Sequence, residues 1–415
     1  MAFFSIFKNT VLLLVFILSS CGNPSKTQNK AHNTQVEPDT LAPHLPINIA
    51  ANKTATYLPL LEGKRVGIVA NQTSVIFKDT QPLSYTHIVD SLLARHIHIK
   101  QVFAPEHGFR GEADAGEKVS DGKDDKTGLP IISLYGKNRK PSKEQLQDVD
   151  IILFDIQDVG VRFYTYIATM QLVMEACAEN NIPIIVLDRP NPNGHYVDGP
   201  TMETEHRGFL GMTNIPLVYG MTIGEYAHMI NKEGWLENKV IANLTVIPME
   251  NYNRHKEYLL PIRPSPNLPN NTSIYLYPSL GLFEGTNVNA GRGTEFQFQR
   301  YGASFMDSTQ YNFKYVPAPN FGSKDPKQKG KICYGKDLSK TPKMNTVNLD
   351  YLLDAYKNTK DKSLFFNTSG FTKHAGTTEL QKQIENGLSQ EEIKKTWQND
   401  IAQFKKIRAK YLIYN

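Results

Sequence analysis

Three cysteines and two tryptophans among 415 residues leave little material for a disulfide scaffold or a thiolate metal site. Cys21, Cys177 and Cys333 stand far apart, and no CxxC pair or His/Cys cluster has zinc spacing. The histidines are scattered without HExxH spacing, and no serine sits in a GxSxG elbow, so zinc-enzyme and serine-hydrolase readings lack support. The first strand-like run is not followed by GxGxxG, which removes the dinucleotide fingerprint. A net charge of +5 is too dilute to argue for nucleic acid, and no dense basic stretch is interleaved with aromatics. The apolar run VLLLVFIL (11–18) is too short to span a bilayer.

That run, with Lys8 before it, reads as an export signal over residues 1–20. It ends Leu18-Ser19-Ser20-Cys21, similar to the lipobox of bacterial lipoproteins. The similarity implies cleavage before Cys21, lipid attachment to its sulfur, and an exported protein anchored in the bacterial cell envelope and facing the periplasm. Residues 21–48 are rich in Asn, Gln, Lys, Thr and Pro and read as a flexible tether.

Strand and helix patterns alternate from about 50 to 200. Strands are expected at 65–70, 98–104, 131–134, 150–156 and 183–188, with helices near 84–96, 142–148 and 163–181. This alternation predicts a Rossmann-like doubly wound parallel sheet over 49–240. The remainder, 241–415, reads as a smaller C-terminal α+β auxiliary domain. It holds a Pro/Asn/Gly-rich irregular stretch at 261–300, helices near 347–357 and 376–386, and one amphipathic helix at 389–411. Cys177 falls in a helical pattern and reads as a small buried hydrophobe.

Polar clusters cap the ends of the strand runs, where ligands bind in open α/β sheets. RVGIVA ends in Asn71. HIKQVFA ends in Pro105-Glu106-His107-Gly108, with Arg110 beyond. IILFDIQ carries Asp155, Gln157 and Asp158, then Arg162 and Tyr164. PIIVLDRP delivers Asp188, Arg189 and Asn191. Glu106 beside His107 and Arg110 fits a general acid/base or a nucleophile, and equally an ion pair of the loop. Asp155 inside an apolar strand needs a partner. Arg162 fits a bidentate carboxylate clamp, or an Asp–Arg pair under the next helix. Glu284, in Leu282-Phe283-Glu284-Gly285-Thr286-Asn287 ahead of Arg292, sits among apolar residues that raise a carboxyl pKa, as suits an acid catalyst. A turn carboxylate explains it as well.

VGIVANQTSV, FAPEHGFRGEADAGEKV, DIQDVGVRFYTYI, VLDRPNPNG, GMTIGEYA, SPNLP and LFEGTNVNAGRGTEF together resemble the exo-β-N-acetylmuramidases of the NamZ type, glycoside hydrolase family 171. The resemblance runs from about residue 50 to the end. It implies release of N-acetylmuramic acid (MurNAc) from the non-reducing end of peptidoglycan fragments, in a cleft between a Rossmann-like and an auxiliary domain, with no metal or organic cofactor. It carries Glu106 and Glu284 over as the catalytic carboxylates. Asp155, Asp158, Asp188, Arg189 and Asn191 become cleft residues. Tyr219 departs from the His that relatives carry before GMT. For the lactyl carboxylate of MurNAc the arginines available are Arg110, Arg162, Arg189 and Arg292, and for its acetamido group Asn71, Asn287 and Tyr164. His107 and Gln157 complete the binding set. The same cleft would also serve a non-catalytic muropeptide-binding lipoprotein of cell-wall recycling or sensing; cleavage of a bound disaccharide separates the two.

Overall fold

The computed structural model describes residues 45–79, 84–111 and 121–415. The stretch expected to be an export signal, Cys21 and most of the polar segment after it lie outside the described residues. Residues 46–48, at that segment's end, already belong to the folded body, since Asn48 and Glu250 exchange backbone hydrogen bonds of 3.0 and 2.9 Å. Among the described residues no helix is long and apolar enough to cross a membrane.

Six strands run parallel: β1 Val66–Ala70, β2 Ile99–Ala104, β3 Pro130–Ser133, β4 Ile151–Asp155, β5 Ile184–Leu187 and β6 Leu244–Ile247. They lie in the order β6-β5-β4-β1-β2-β3, with the short strand Gly122–Lys123 antiparallel on the β3 edge. Read from that edge, the order is the 3-2-1-4-5-6 of Rossmann sheets, which reverses direction between β1 and β4. Every residue of β1 and β4 is buried, and their runs are accordingly apolar without alternation. Strand β6 pairs with β5, so the sheet extends past the 240/241 line drawn from sequence.

The helix expected at 84–96 is shorter. Ser84–His87 pairs antiparallel with Val75–Asp79, and helix α1 spans only Ile88–Leu93. His87 decides the switch: its Nδ1 accepts the Val89 N–H at 3.3 Å while Nε2–H donates to the Asn71 carbonyl at 2.9 Å. Burial drops its pKa to about 4 and keeps the ring neutral. Helix α2, Tyr166–Glu179, is buried on nearly all sides, and its buried Gln171 and Glu175 meet through a 3.1 Å hydrogen bond.

Within the Pro/Asn/Gly-rich stretch, residues 261–270 are irregular but Asn271–Leu280 forms helix α4, after α3 at Ile223–Lys232. A capping box of Asn270 and Ser273 starts α4, a polar signature hidden among the prolines. Strands β7 Arg300–Ala303, β8 Phe313–Tyr315 and β9 Cys333–Asp337 make an antiparallel sheet in the order β7-β9-β8. Helices α5 Thr368–Ala375 and α6 Glu379–Glu385 follow. The expected 389–411 helix is two, α7 Gln390–Thr396 and α8 Gln398–Arg408, broken at Trp397. Ile393, Trp397, Ile401 and Phe404 still bury one stripe.

One hydrophobic core runs from the sheet into the C-terminal region. Phe154 and Val186 belong to the same cluster as Phe283, Tyr301 and Ile393. Cys177 and Cys333 are both buried and unpaired.

Candidate active site

Strand β2 stops at Pro105, and the chain turns at once. The Gly108 N–H donates to the Pro105 carbonyl at 3.0 Å. His107 and Gly108 both take left-handed backbone, at φ of 71° and 78°. Such a φ is uncommon outside glycine, and here the surroundings hold it. The His107 ring is buried with Nε2 3.2 Å from Ser265 Oγ, which ties the turn to the irregular 261–270 segment. Glu106 is thereby left half-buried at the strand end. Thr165 Oγ1 donates to its Oε2 at 2.9 Å, and the Tyr166 hydroxyl donates to its backbone carbonyl at 3.4 Å. The Tyr135 phenol also bonds the Glu106 carboxylate; burial and that charge push the phenol up, so it stays a neutral donor.

Glu284 arrives from the other part of the chain, on the 3₁₀ turn Gly281–Gly285 that continues α4. A Cβ on Gly285 would stand 2.2 Å from the Phe371 Cα of α5, and one on Gly281 would stand 2.4 Å from the Phe163 ring. Glycine at both positions is what lets the turn press against its neighbours. Gly285→Ala is therefore expected to lower stability by roughly 1–3 kcal/mol, read as a drop in Tm by calorimetry.

The electrostatics of Glu284 reverse the expectation drawn from its apolar neighbours. Burial does push the carboxyl up, but Arg292 and Lys327 outweigh it and hold the group below its ordinary value. Arg292 Nε donates to Glu284 Oε1 at 3.1 Å. The Lys327 ammonium is anchored alongside by the carbonyls of Phe283, Glu284 and Thr286 at 2.9, 2.8 and 2.6 Å. His374 gives its Nδ1–H to the Gly370 carbonyl at 2.9 Å, and burial holds it below the usual imidazole value, so the ring is neutral with Nε2 an acceptor. A carboxylate beside two fixed cations is ionised at neutral pH. Arg292→Met removes one of those cations, so the Glu284 pKa rises. The acidic limb of the kcat/KM–pH profile is expected to move to higher pH, with the alkaline limb unmoved.

Glu106 and Glu284 both line one cavity of about 900 Å³. Thr165, Tyr135, Tyr277 and His374 stand on its wall together with three arginines, Arg139, Arg207 and Arg292. The Arg139 guanidinium lies over the Phe209 ring, 4.3 Å from its centroid. The cavity is the size of a ligand pocket, with one carboxylate set among hydroxyls and the other among cations. Glu203, Glu205 and His206 approach one another within 4.8 Å at its edge. The 3.4 Å His206–Glu203 pair and the Thr377 bond to Glu203 account for that grouping.

Most of the expected binding residues lie behind this wall. Arg162 is buried and donates to four carbonyls, Pro200 and Ile215 at 2.7 and 2.9 Å and His374 and Ala375 at 3.0 and 2.7 Å. It is a girder of the backbone rather than a substrate clamp. Arg189 grips Asp155 through two bonds of 2.6 and 2.8 Å, which is the partner that the buried carboxylate required. Arg110 pairs with Asp124 at 2.8 Å and Asp90 at 3.4 Å. Asp188 accepts from Thr222, Gly224 and Tyr414 at 2.7, 2.9 and 2.7 Å, and burial lifts it to about 7.

Asp158 is buried, lifted to about 6, and bonded to the Tyr219 hydroxyl and the Gly160 N–H. Gln157 bridges the carbonyls of Asp158 and Pro190, and Asn191 donates to the Met221 carbonyl. Asn71 closes its own turn by accepting from Thr73, Tyr164 donates to the Pro264 carbonyl, and Asn287 donates to the Leu364 carbonyl. These groups shape the switch-point loops from behind. His107 does the same, and of the expected binding set Arg292 is the residue on the cavity wall.

Sequence reasoning passed over Tyr135 and Arg139, although the strand-end rule that found Glu106 applies equally after β3. Arg207 and His374 sit in segments with no motif-like spacing, and only the folded chain brings them here.

A Rossmann-type sheet with a strand-end carboxylate, Glu106, and a second carboxylate, Glu284, lining one sugar-sized cavity has the acidic pair that glycoside hydrolysis uses. Residues 66–272 match the N-terminal model, and 275–414 the C-terminal model, of the exo-β-N-acetylmuramidase NamZ. The chain belongs to this family. It is 39% identical to the peptidoglycan β-N-acetylmuramidase NamZ of Bacillus subtilis (strain 168), over 98% of each chain. Two DUF1343 family crystal structures from Bacteroides fragilis share the fold. One has a TM-score of 0.81 at 44% identity and the other 0.74 at 30%, each over 89% of this chain and 99% of its own.

Proposed function

We propose that this cavity removes MurNAc from the non-reducing end of peptidoglycan glycan fragments, with Glu106 as proton donor and Glu284 as the ionised partner. The observation that carries the reading is that the two glutamates, 178 positions apart by number (284 less 106), line one cavity in contrasting surroundings. Cations hold Glu284 as an anion, suited to attack the anomeric centre, activate water, or stabilise positive charge developing on the sugar. Glu106, set among the hydroxyls of Thr165 and Tyr135, delivers its proton to the leaving oxygen. The direct test is turnover of a chromogenic β-MurNAc glycoside, with the β-GlcNAc glycoside as the comparison; cleavage of the GlcNAc compound alone would overturn the substrate assignment.

Arg139 and Arg207 supply charge for the lactyl carboxylate, the group that separates MurNAc from GlcNAc. Arg139→Ala is expected to raise KM for MurNAc glycosides on the order of tenfold with kcat little changed, the pattern of lost uniform binding. Export and anchoring through a lipid on Cys21 complete the proposal. Cys21→Ser should release the protein from the membrane fraction, and an unchanged distribution would refute the anchor.

A further inference from the structure

We propose that a second cavity, of about 830 Å³, binds the continuing glycan of the substrate through the hydroxyl and acetamido groups that its sugars share; this rests on the hydrolase reading above. The cavity lies between the segment after the strand Asp198–Thr201, the turn after α3, and helices α6 to α8. The chain has two tryptophans, and both Trp235 and Trp397 line it. Indole faces pack against sugar C–H surfaces while the N–H seeks an acceptor. Trp397 is only 4% exposed, and its Nε1 has no hydrogen-bond partner among the described residues; the same holds for the Thr201 hydroxyl on the same wall. Buried donors of this kind are rarely left unmatched, and hydroxyl or acetamido oxygens of a sugar would match them. Gln383, Gln403 and Asp400 add amide and carboxylate groups for hydroxyls. Glu205 and Arg207 line both cavities, so a glycan leaving the catalytic cavity meets this one at a shared rim.

The two tryptophans make the test direct, since none lines the catalytic cavity. Titrating the whole protein with tetra-N-acetylchitotetraose is expected to change tryptophan emission saturably, equally in Glu106→Gln. Trp235→Ala should leave turnover of the small chromogenic β-MurNAc glycoside unchanged and lower kcat/KM about tenfold for a MurNAc-terminated tetrasaccharide. Gln403→Arg, at an exposed position on the same wall, should do likewise if Trp235→Ala does not fold. No emission change with chitotetraose, or equal kcat/KM losses on short and long substrates, overturns the proposal. A response to a lysine-bearing stem peptide but not to chitotetraose also overturns it. Failure of the wild type to cleave the small glycoside, with the emission change intact, counts against the hydrolase reading instead.

Discussion

Glu106→Gln is expected to lower kcat on a MurNAc-terminated disaccharide by roughly 10²–10⁴-fold, the usual scale of general acid catalysis. The loss should shrink sharply on a 4-nitrophenyl glycoside, because a good leaving group departs without a proton. Glu284→Gln should be crippled on both substrates, since the positive charge at the anomeric centre needs its carboxylate whichever group leaves. The two variants therefore separate by leaving group, which a merely structural role at either position would not produce. Both side chains are partly exposed, so the folded state should tolerate the amide. If instead Glu284→Gln is rescued by the activated substrate and Glu106→Gln is not, the roles are exchanged.

Arg162→Met should act on stability rather than on substrate affinity. The side chain is 1% exposed, and its guanidinium joins carbonyls from Pro200, Ile215, His374 and Ala375. Methionine fills much of the volume but takes the donor from the Pro200, His374 and Ala375 carbonyls, each buried acceptor left unmatched costing about 1–3 kcal/mol, while the Ile215 carbonyl keeps the Met202 N–H at 3.1 Å. A loss on the order of 4 kcal/mol follows if only two of them fail to find other donors. It would appear in the denaturant midpoint, with KM for surviving folded enzyme near the wild-type value. A raised KM at unchanged stability would instead restore Arg162 as a substrate clamp.

That contrast shows where the sequence was legible. The apolar runs at 66–70 and 151–155 announce buried parallel strands because only a doubly covered sheet buries every position. The polar residues at their ends announce the switch point. What the pattern cannot convey is which polar groups face the cavity and which face one another. Asp155 and Arg189 are consumed by mutual pairing, and Arg162 by backbone carbonyls, yet in one dimension each resembles a ligand-binding group. Glu106 and Glu284 are legible as glutamates in glycine-flanked turns, but their pairing as catalytic carboxylates comes from the family resemblance and not from the turns. The ionisation of Glu284 was hidden because Lys327, 43 positions later, is placed by tertiary folding. Likewise, the helix at Asn271–Leu280 was masked by prolines on either side of a capping box.

The most direct test is a crystal structure of the Glu106→Gln protein with an uncleaved MurNAc-terminated disaccharide. The glycosidic oxygen should lie within hydrogen-bond reach of the residue-106 side chain, about 2.6–3.2 Å. The Glu284 carboxylate should stand on the opposite side of the anomeric carbon, with Arg292 still beside it. A sugar seated elsewhere, or both side chains on one face of its ring, would contradict the paired-carboxylate account.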